Sequence, residues 1–215
     1  MLDRSFYQKP TLQVARNLLG KVLVRRWSGK NLAGKIVETE AYVGPHDLAC
    51  HASKGKTKRT SIMFEAGGCA YVYMIYGFYF CLNAVTEPAD YPAAVLIRAI
   101  EPLDHLSIMR KLRKNPAQDT NIGSGPGKLC MAMGIDKKLN GQDLTGNQLW
   151  IEDRNLNVDR IVASPRIGVD YAGEYRDKPW RFYIDGNPHV SRLRMRGHLQ
   201  VAPIPLLTRR GARTK

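Results

Sequence analysis

The sequence predicts an α+β fold: a single compact domain on a mainly antiparallel, curved β-sheet, with flanking helices and a protruding β-hairpin. Three observations predict it. Short runs of apolar and β-branched residues recur between turn-rich breaks, as in strands joined by hairpins. The helical periodicities are few and stand apart from the strands, unlike the regular alternation of a parallel βαβ sheet. The chain has 215 residues, 44% hydrophobic and 24% charged, which suits one domain with a full core.

The elements follow in order. The N-terminus, MLDRSFYQKPTLQVARNLLG, carries Asp3 and Arg4 early and lacks the apolar stretch of a leader, so it reads as the start of the fold. Pro10 suits a first helical position, Leu12, Ala15, Leu18 and Leu19 form an apolar stripe, and Gly20 ends the helix. KVLVRRW (21–27) and GKIVETEAYV (34–43), separated by SGKNLAG, make a first hairpin. CAYVYMIYGFYFCLNAV (69–85) makes a second, and AAVLIRAIEP (93–102) a further strand. Residues 103–114 and 126–133 read as helices. LWIED (149–153), ASPRIGVDY (163–171) and RFYIDG (181–186) read as later strands. Residues 1–191 form the domain and 192–215 a basic extension with little to bury, expected to be partly disordered. No run approaches the roughly 20 apolar residues of a membrane span.

Charge narrows the partner. The formal net charge is +14 and the pI about 9.8. Lys54, Lys56, Lys58 and Arg59 cluster, as do Arg110, Lys111, Arg113 and Lys114; Arg192, Arg194 and Arg196 alternate, and Arg209, Arg210, Arg213 and Lys215 close the chain. Clustered cations favour nucleic acid through phosphate neutralisation and counterion release. Cys50, Cys69, Cys81 and Cys130 form no CxxC pair and no zinc-finger spacing with histidine. They read as free thiols in a reducing, intracellular compartment (cytoplasm or nucleoid in a bacterium), with no metal and no cofactor. Cys50 beside His51 does not suggest a nucleophile with its base, since neighbours on a strand point oppositely. GSGPGKLCMAMG (123–134) is not a P-loop, because Gly127-Lys128 is followed by Leu129. It still opens a helix, whose free N–H groups suit either a phosphate or an ordinary helix start.

Two segments carry the chemistry. In KIVETEAYV, period two puts Val37, Thr39, Ala41 and Val43 on one face and Glu38, Glu40 and Tyr42 on the other. Such alternation commonly marks a solvated face. Carboxylates facing a polyanion would repel it, however, unless chemistry needs them, and an ionised glutamate can act as a base toward water. Glu38 reads as a structural ion-pair partner or a carboxylate behind the reacting one. YVYMIYGFYFCLN (71–83) holds six aromatic residues in thirteen positions and no charge. Alternation puts Tyr71, Tyr73 and Ile75 on one side and Val72 and Met74 on the core side, with Tyr76 and Gly77 at the turn. Tyr71, Phe78, Tyr79 and Phe80 read as packing.

VETEAYVGP (37–45) with His51, YVYMIYGFYFCLN (71–83), VLIRAIEPL (95–103), GSGPGKLC (123–130) and RIGVDYAGEYRDKPWRFYIDGNPHVS (166–191), in this order, resemble the alkyladenine DNA glycosylase family, also called 3-methyladenine or N-methylpurine DNA glycosylases. The resemblance covers roughly residues 5 to 191. It implies a monofunctional enzyme, a monomer without metal, that flips alkylated or deaminated purines (3-methyladenine, 7-methylguanine, hypoxanthine, ethenoadenine) from duplex DNA and hydrolyses the N-glycosidic bond. By the same resemblance Glu40 activates the water, with Arg98 beside it. Tyr42, His51, Tyr73 and Asn83 form the base pocket, with Asn83 crowding the purine 2-position, and Tyr76 intercalates. The basic residues Arg59, Arg113 and Lys128 are candidates for DNA backbone contacts. A non-catalytic nucleic-acid-binding module would explain charge and aromatics but not Glu40. A hydrolase of RNA or nucleosides would share the carboxylate chemistry but need neither duplex nor Tyr76. Paired helices of a helix-hairpin-helix glycosylase are not supplied by so strand-rich a pattern.

Overall fold

The longest strand organises the rest. In the computed structural model, which describes residues 1–191, β2 runs from Lys30 to Tyr42. One of its edges pairs with β5 (Ala94–Asp104). The other is shared: the first half pairs β1 (Val22–Trp27) and the second half β8 (Arg181–Ile184). With β3 (Ala70–Ile75), β4 (Tyr79–Val85) and β6 (Leu149–Glu152) the main order is β3-β4-β5-β2-β1-β6, and β7 (Ile161–Ser164) joins through β8. The pairings are antiparallel throughout this eight-stranded sheet, as the α+β reading expects.

Among the described residues four short α-helices flank it: α1 (Arg4–Tyr7), α2 (Thr11–Asn17), α3 (Leu106–Leu112) and α4 (Pro126–Ala132). Val14 and Ala15 of α2, with Leu18 and Leu19 after it, enter the main core together with Val37 and Ala41 of β2. Thr39 Oγ donates to the Ala15 carbonyl at 2.9 Å, so the small face of β2 is fastened to α2. Each large apolar side chain buried there contributes about 1.5–3 kcal/mol. The other face of β2 is thereby fixed toward the opposite side, where the site lies.

Several boundaries differ from the sequence reading, each for a local reason. Pro10 caps α2 instead of starting it, and its carbonyl accepts from Val14 N at 3.0 Å. The first hairpin turns on two residues, Ser28 and Gly29, both at positive φ, so β2 starts at Lys30 and not at 34. β5 runs on to Asp104, and His105, at φ 59, turns the chain into α3, which starts at Leu106 instead of 103. Residues 163–171 are not one strand: β7 ends at Ser164, Pro165 cannot donate to a ladder, and Gly168 sits at φ 76. The loop this creates faces the cavity described below. In the aromatic hairpin Val72 is core, but Met74 is 47% exposed and Phe78 65%. The tip projects past the sheet, so alternation there no longer decides burial. The basic extension proposed for 192–215 lies outside the described residues.

Candidate active site

Strand register assembles the site. Tyr71 faces Asn83, Asn83 faces Leu96, Leu96 faces Glu40, and Glu40 faces Arg181. Residues directly opposite in antiparallel pairs share a face, so five strands lay one row of side chains across the sheet. Two residues along, Tyr73 opposite Cys81 and Tyr42 opposite Ala94 extend it. This face floors a cavity of about 270 Å³. Tyr42, His51, Tyr71, Tyr73, Asn83, Arg98 and Tyr76 line it, with Ile167, Gly168, Val169 and Tyr171 opposite the hairpin.

Behind the lining residue Arg98 lie two carboxylates, neither on a solvated face: Glu38 and Glu40 are both 0% exposed. The β2–β5 ladder is irregular between Ile36 and Thr39, and Arg98 has no direct partner there. Its guanidinium reaches both acids. Arg98 Nε donates to Glu38 Oε1 at 3.0 Å, and Nη1 lies 3.3 Å from Glu40 Oε2. Glu38 also accepts from Arg181 Nε at 2.6 Å, Ser191 Oγ at 2.9 Å and Ser191 N at 2.8 Å. Burial raises the Glu38 pKa, but Arg98, Arg181 and Ser191 together hold it below the ordinary value. Burial lowers that of Arg98, and Glu40 and Glu38 more than offset it, so the guanidinium stays charged. Glu40 Oε1 accepts from Ile167 N at 2.7 Å and Oε2 from Tyr42 Oη at 2.9 Å. Burial, then the Glu40 charge, raises the Tyr42 phenol, which stays protonated as the donor. Burying four ions costs several kcal/mol each before pairing, and such groups gather where chemistry needs them.

The walls are aromatic. Tyr71 and Tyr73 stand with ring centroids 5.1 Å apart, and His51 meets Tyr73 edge-on at 4.6 Å. Asn83 Nδ2 donates to the Tyr71 carbonyl at 3.0 Å, which fixes the amide at the floor. His51 opens a 3₁₀ turn, His51–Lys54, and pairs through Nδ1 with Tyr71 Oη at 3.0 Å. Cys50 is not on a strand; its Sγ contacts the Pro92 carbonyl and burial pushes the thiol up to about 11. Burial, with the Arg59 charge second, lowers the His51 imidazole to about 4. The unfolded histidine takes its proton near 6.5 and the folded one only near 4, so folding stability falls as pH drops through that window. His51→Gln should flatten this part of the stability profile, as denaturant unfolding at pH 7 and pH 5 would show; an unchanged difference between the two pH values overturns the assignment. At pH 7 the imidazole is neutral, with one ring nitrogen a donor and the other an acceptor.

Tyr76 sits on the rim, 82% exposed and at φ 52, beside Gly77 at φ 77. Of the three cations considered for DNA backbone contact, Arg59 stacks 5.1 Å over the ring of Tyr73, which lines the cavity. It borders a shallow groove with Lys58, Met74 and Asn140. Arg113 is engaged with the Ile122 and Asn121 carbonyls and Met131 Sδ, and Lys128 Nζ with Asn121 and Ser124. Pro126, first residue of α4, lines the cavity, and Gly127 lets α4 approach Tyr79: a Cβ there would meet the ring at 3.0 Å. Sequence reasoning missed Asp47, Arg166, Ile167, Arg181 and Ser191. Asp47 lies two residues past VETEAYVGP, and the others fall within residues 166–191, so these stretches were in view without roles. Among the described residues no group of three or more His, Cys, Asp or Glu side chains is placed to hold a metal ion.

Comparison with known proteins agrees along the chain. The family model for methylpurine-DNA glycosylase matches residues 5–188. A protein of Methanocella arvoryzae is 56% identical over 193 residues, covering 89% of this chain and 96% of the relative. Relatives in Alkaliphilus oremlandii and Legionella pneumophila (strain Corby) are 50% and 48% identical, each match covering 89% of this chain and 98% of the relative. All three carry the name "Putative 3-methyladenine DNA glycosylase". With that similarity spanning the sheet, the hairpin and the buried carboxylates alike, the chain belongs to the methylpurine-DNA glycosylase family.

Proposed function

We propose that this protein is a monofunctional, monomeric DNA glycosylase of base excision repair, acting on alkylated and deaminated purines in duplex DNA. The observation that carries the proposal is Glu40, buried directly behind an aromatic cavity and held by three residues that line it, Arg98, Tyr42 and Ile167, while the cavity's rim bears an exposed tyrosine. A base within a duplex must leave the stack to reach such a cavity, at a cost of a few kcal/mol. Tyr76 offsets part of that cost by filling the gap. Tyr42 and Tyr73 stack on the flipped purine, at about 1–3 kcal/mol per stacked base. Asn83 crowds the purine 2-position and so disfavours normal guanine.

Glu40 accepts one protein hydrogen bond at Oε1, and a carboxylate oxygen accommodates two. A water held there attacks C1′ as the C1′–N bond breaks, its proton passing to Glu40 and the electron pair to the purine. The sugar passes through an oxocarbenium-like state, which the carboxylate stabilises. Purines alkylated at a ring nitrogen leave readily because they already carry positive charge. No lysine stands among the described residues lining the cavity, which supports hydrolysis without a covalent enzyme–sugar intermediate.

Single-turnover excision tests this, with duplexes carrying 3-methyladenine, 7-methylguanine, hypoxanthine or 1,N6-ethenoadenine. Release of at least one base is expected from duplex, and far less from RNA or free nucleosides. Duplex binding with no release from any of the four overturns the reading in favour of a binding module. Release from nucleosides at the duplex rate overturns it in favour of a nucleoside hydrolase.

A further inference from the structure

A second buried ion pair lies on the other side of Tyr42, and the reaction as described does not use it. Arg166 and Asp47 have fully buried side chains. Arg166 Nη1 donates to Asp47 Oδ2 at 2.5 Å and Nη2 to Oδ1 at 2.8 Å, a bidentate fork. The remaining contacts are all to the cavity's supports. Nη1 also donates to the Ala41 carbonyl at 2.8 Å and Nη2 to the Tyr175 carbonyl at 3.1 Å. Asp47 accepts from Val43 N at 3.1 Å and Ala49 N at 3.0 Å. The guanidinium lies 4.8 Å from the Tyr42 ring centroid and 5.1 Å from that of Trp180. One plane of charge therefore backs Tyr42 and ties the end of β2 to the 165–175 loop.

The next residue makes the link to chemistry. Ile167 N, one peptide from Arg166, is the donor to Glu40 Oε1. Tyr42, the ring that Arg166 backs, is the donor to Oε2. Beside the Arg98 ion pair, the Glu40 carboxylate thus accepts two hydrogen bonds whose donors depend on where the Arg166–Asp47 fork holds its neighbours. We infer that Arg166, clamped by Asp47, is a positioning residue of base excision: it sets the stacking plane of Tyr42 and aims the Ile167 N–H at Glu40. The inference rests on the reading of this cavity as the base pocket. A pair that served only the fold would be coupled to stability and indifferent to the rate per folded molecule. Small displacements of reacting groups, by contrast, cost rate out of proportion to their size.

Two variants separate these. Arg166→Lys keeps the charge and loses the planar fork. Asp47→Asn/Arg166→Met removes both charges, so no buried ion is left unpaired. For each, single-turnover excision of 1,N6-ethenoadenine is measured per folded molecule, together with the quenching of that base's own fluorescence on stacking and the affinity for undamaged duplex. Excision slower by about tenfold to a hundredfold, with weaker quenching and unchanged affinity for undamaged duplex, is the expected result. Parental rates and quenching in either folded variant overturn the inference. Failure of both to fold assigns the pair to the fold alone and overturns it too. Where the parental protein releases another of the four bases and not 1,N6-ethenoadenine, excision is read on that base with the same expected and overturning results; a parental protein that releases none of the four overturns the glycosylase reading, and this inference with it.

Discussion

Glu40→Gln should bind a lesion-bearing duplex like the parental protein and release the base about a hundredfold to ten-thousandfold more slowly, the usual range for a lost general base. The substitution is close to isosteric. The amide oxygen still accepts from Ile167 N, and the Tyr42 hydroxyl can turn to accept instead of donate. What disappears is the charge, and with it, on the proposed mechanism, the proton acceptor for water and the counter-ion to the developing oxocarbenium. A thousandfold loss is about 4 kcal/mol, more than one hydrogen bond is usually worth, so the magnitude separates catalysis from positioning. The amide also faces the Arg98 guanidinium, 3.3 Å away in the parental protein, and a thermal melt controls for that. Excision within tenfold of the parental rate, in a variant that melts normally, would sink the role of Glu40.

How much of this was legible depends on how far apart in the chain the partners lie. Glu40 and Tyr42 stand two residues apart on one strand, and period two alone puts them on one face. Their burial was not readable, because a strand's solvation depends on what covers it. Here the cover is the 165–171 loop, whose alternation reads as strand until Pro165 and Gly168 break it. Arg98 reaches both carboxylates only because the ladder is irregular opposite it, and no property of VLIRAIEP announces a bulge. Asp47 and Arg166 are 119 positions apart, and a pair at that distance leaves no periodic trace. His51 entered through family resemblance alone, since one histidine in a loop has no distinguishing pattern. The hairpin and its turn at Tyr76 and Gly77 were legible. The exposure of Met74 and Phe78 beside the turn was not, because alternation and aromatic character lose their meaning for burial where the sheet ends.

That tip supplies the other large effect: Tyr76→Ser should leave the fold intact and slow excision by about tenfold to a hundredfold, the equivalent of losing 1–3 kcal/mol of stacking. The ring is 82% exposed, so the folded protein gains almost nothing from it. Its backbone, at φ 52, occupies the left-handed region, which costs a residue bearing Cβ roughly 1–2 kcal/mol. A large apolar side chain held in a disfavoured conformation and left in water is poor design for stability and good design for insertion between base pairs. Tyr76→Gly sharpens the argument. It relieves the left-handed backbone but adds unfolded-state entropy of about 0.5–1 kcal/mol, so the melting temperature should hardly move while excision falls as for serine. Both variants should keep their affinity for short single strands containing the lesion, where no gap needs filling, and lose it selectively on duplex. A large drop in melting temperature would make the ring a packing residue after all. Parental excision from duplex by a folded Tyr76→Ser protein would leave the flipped base without its wedge and pass the task to Phe78, 65% exposed two residues on.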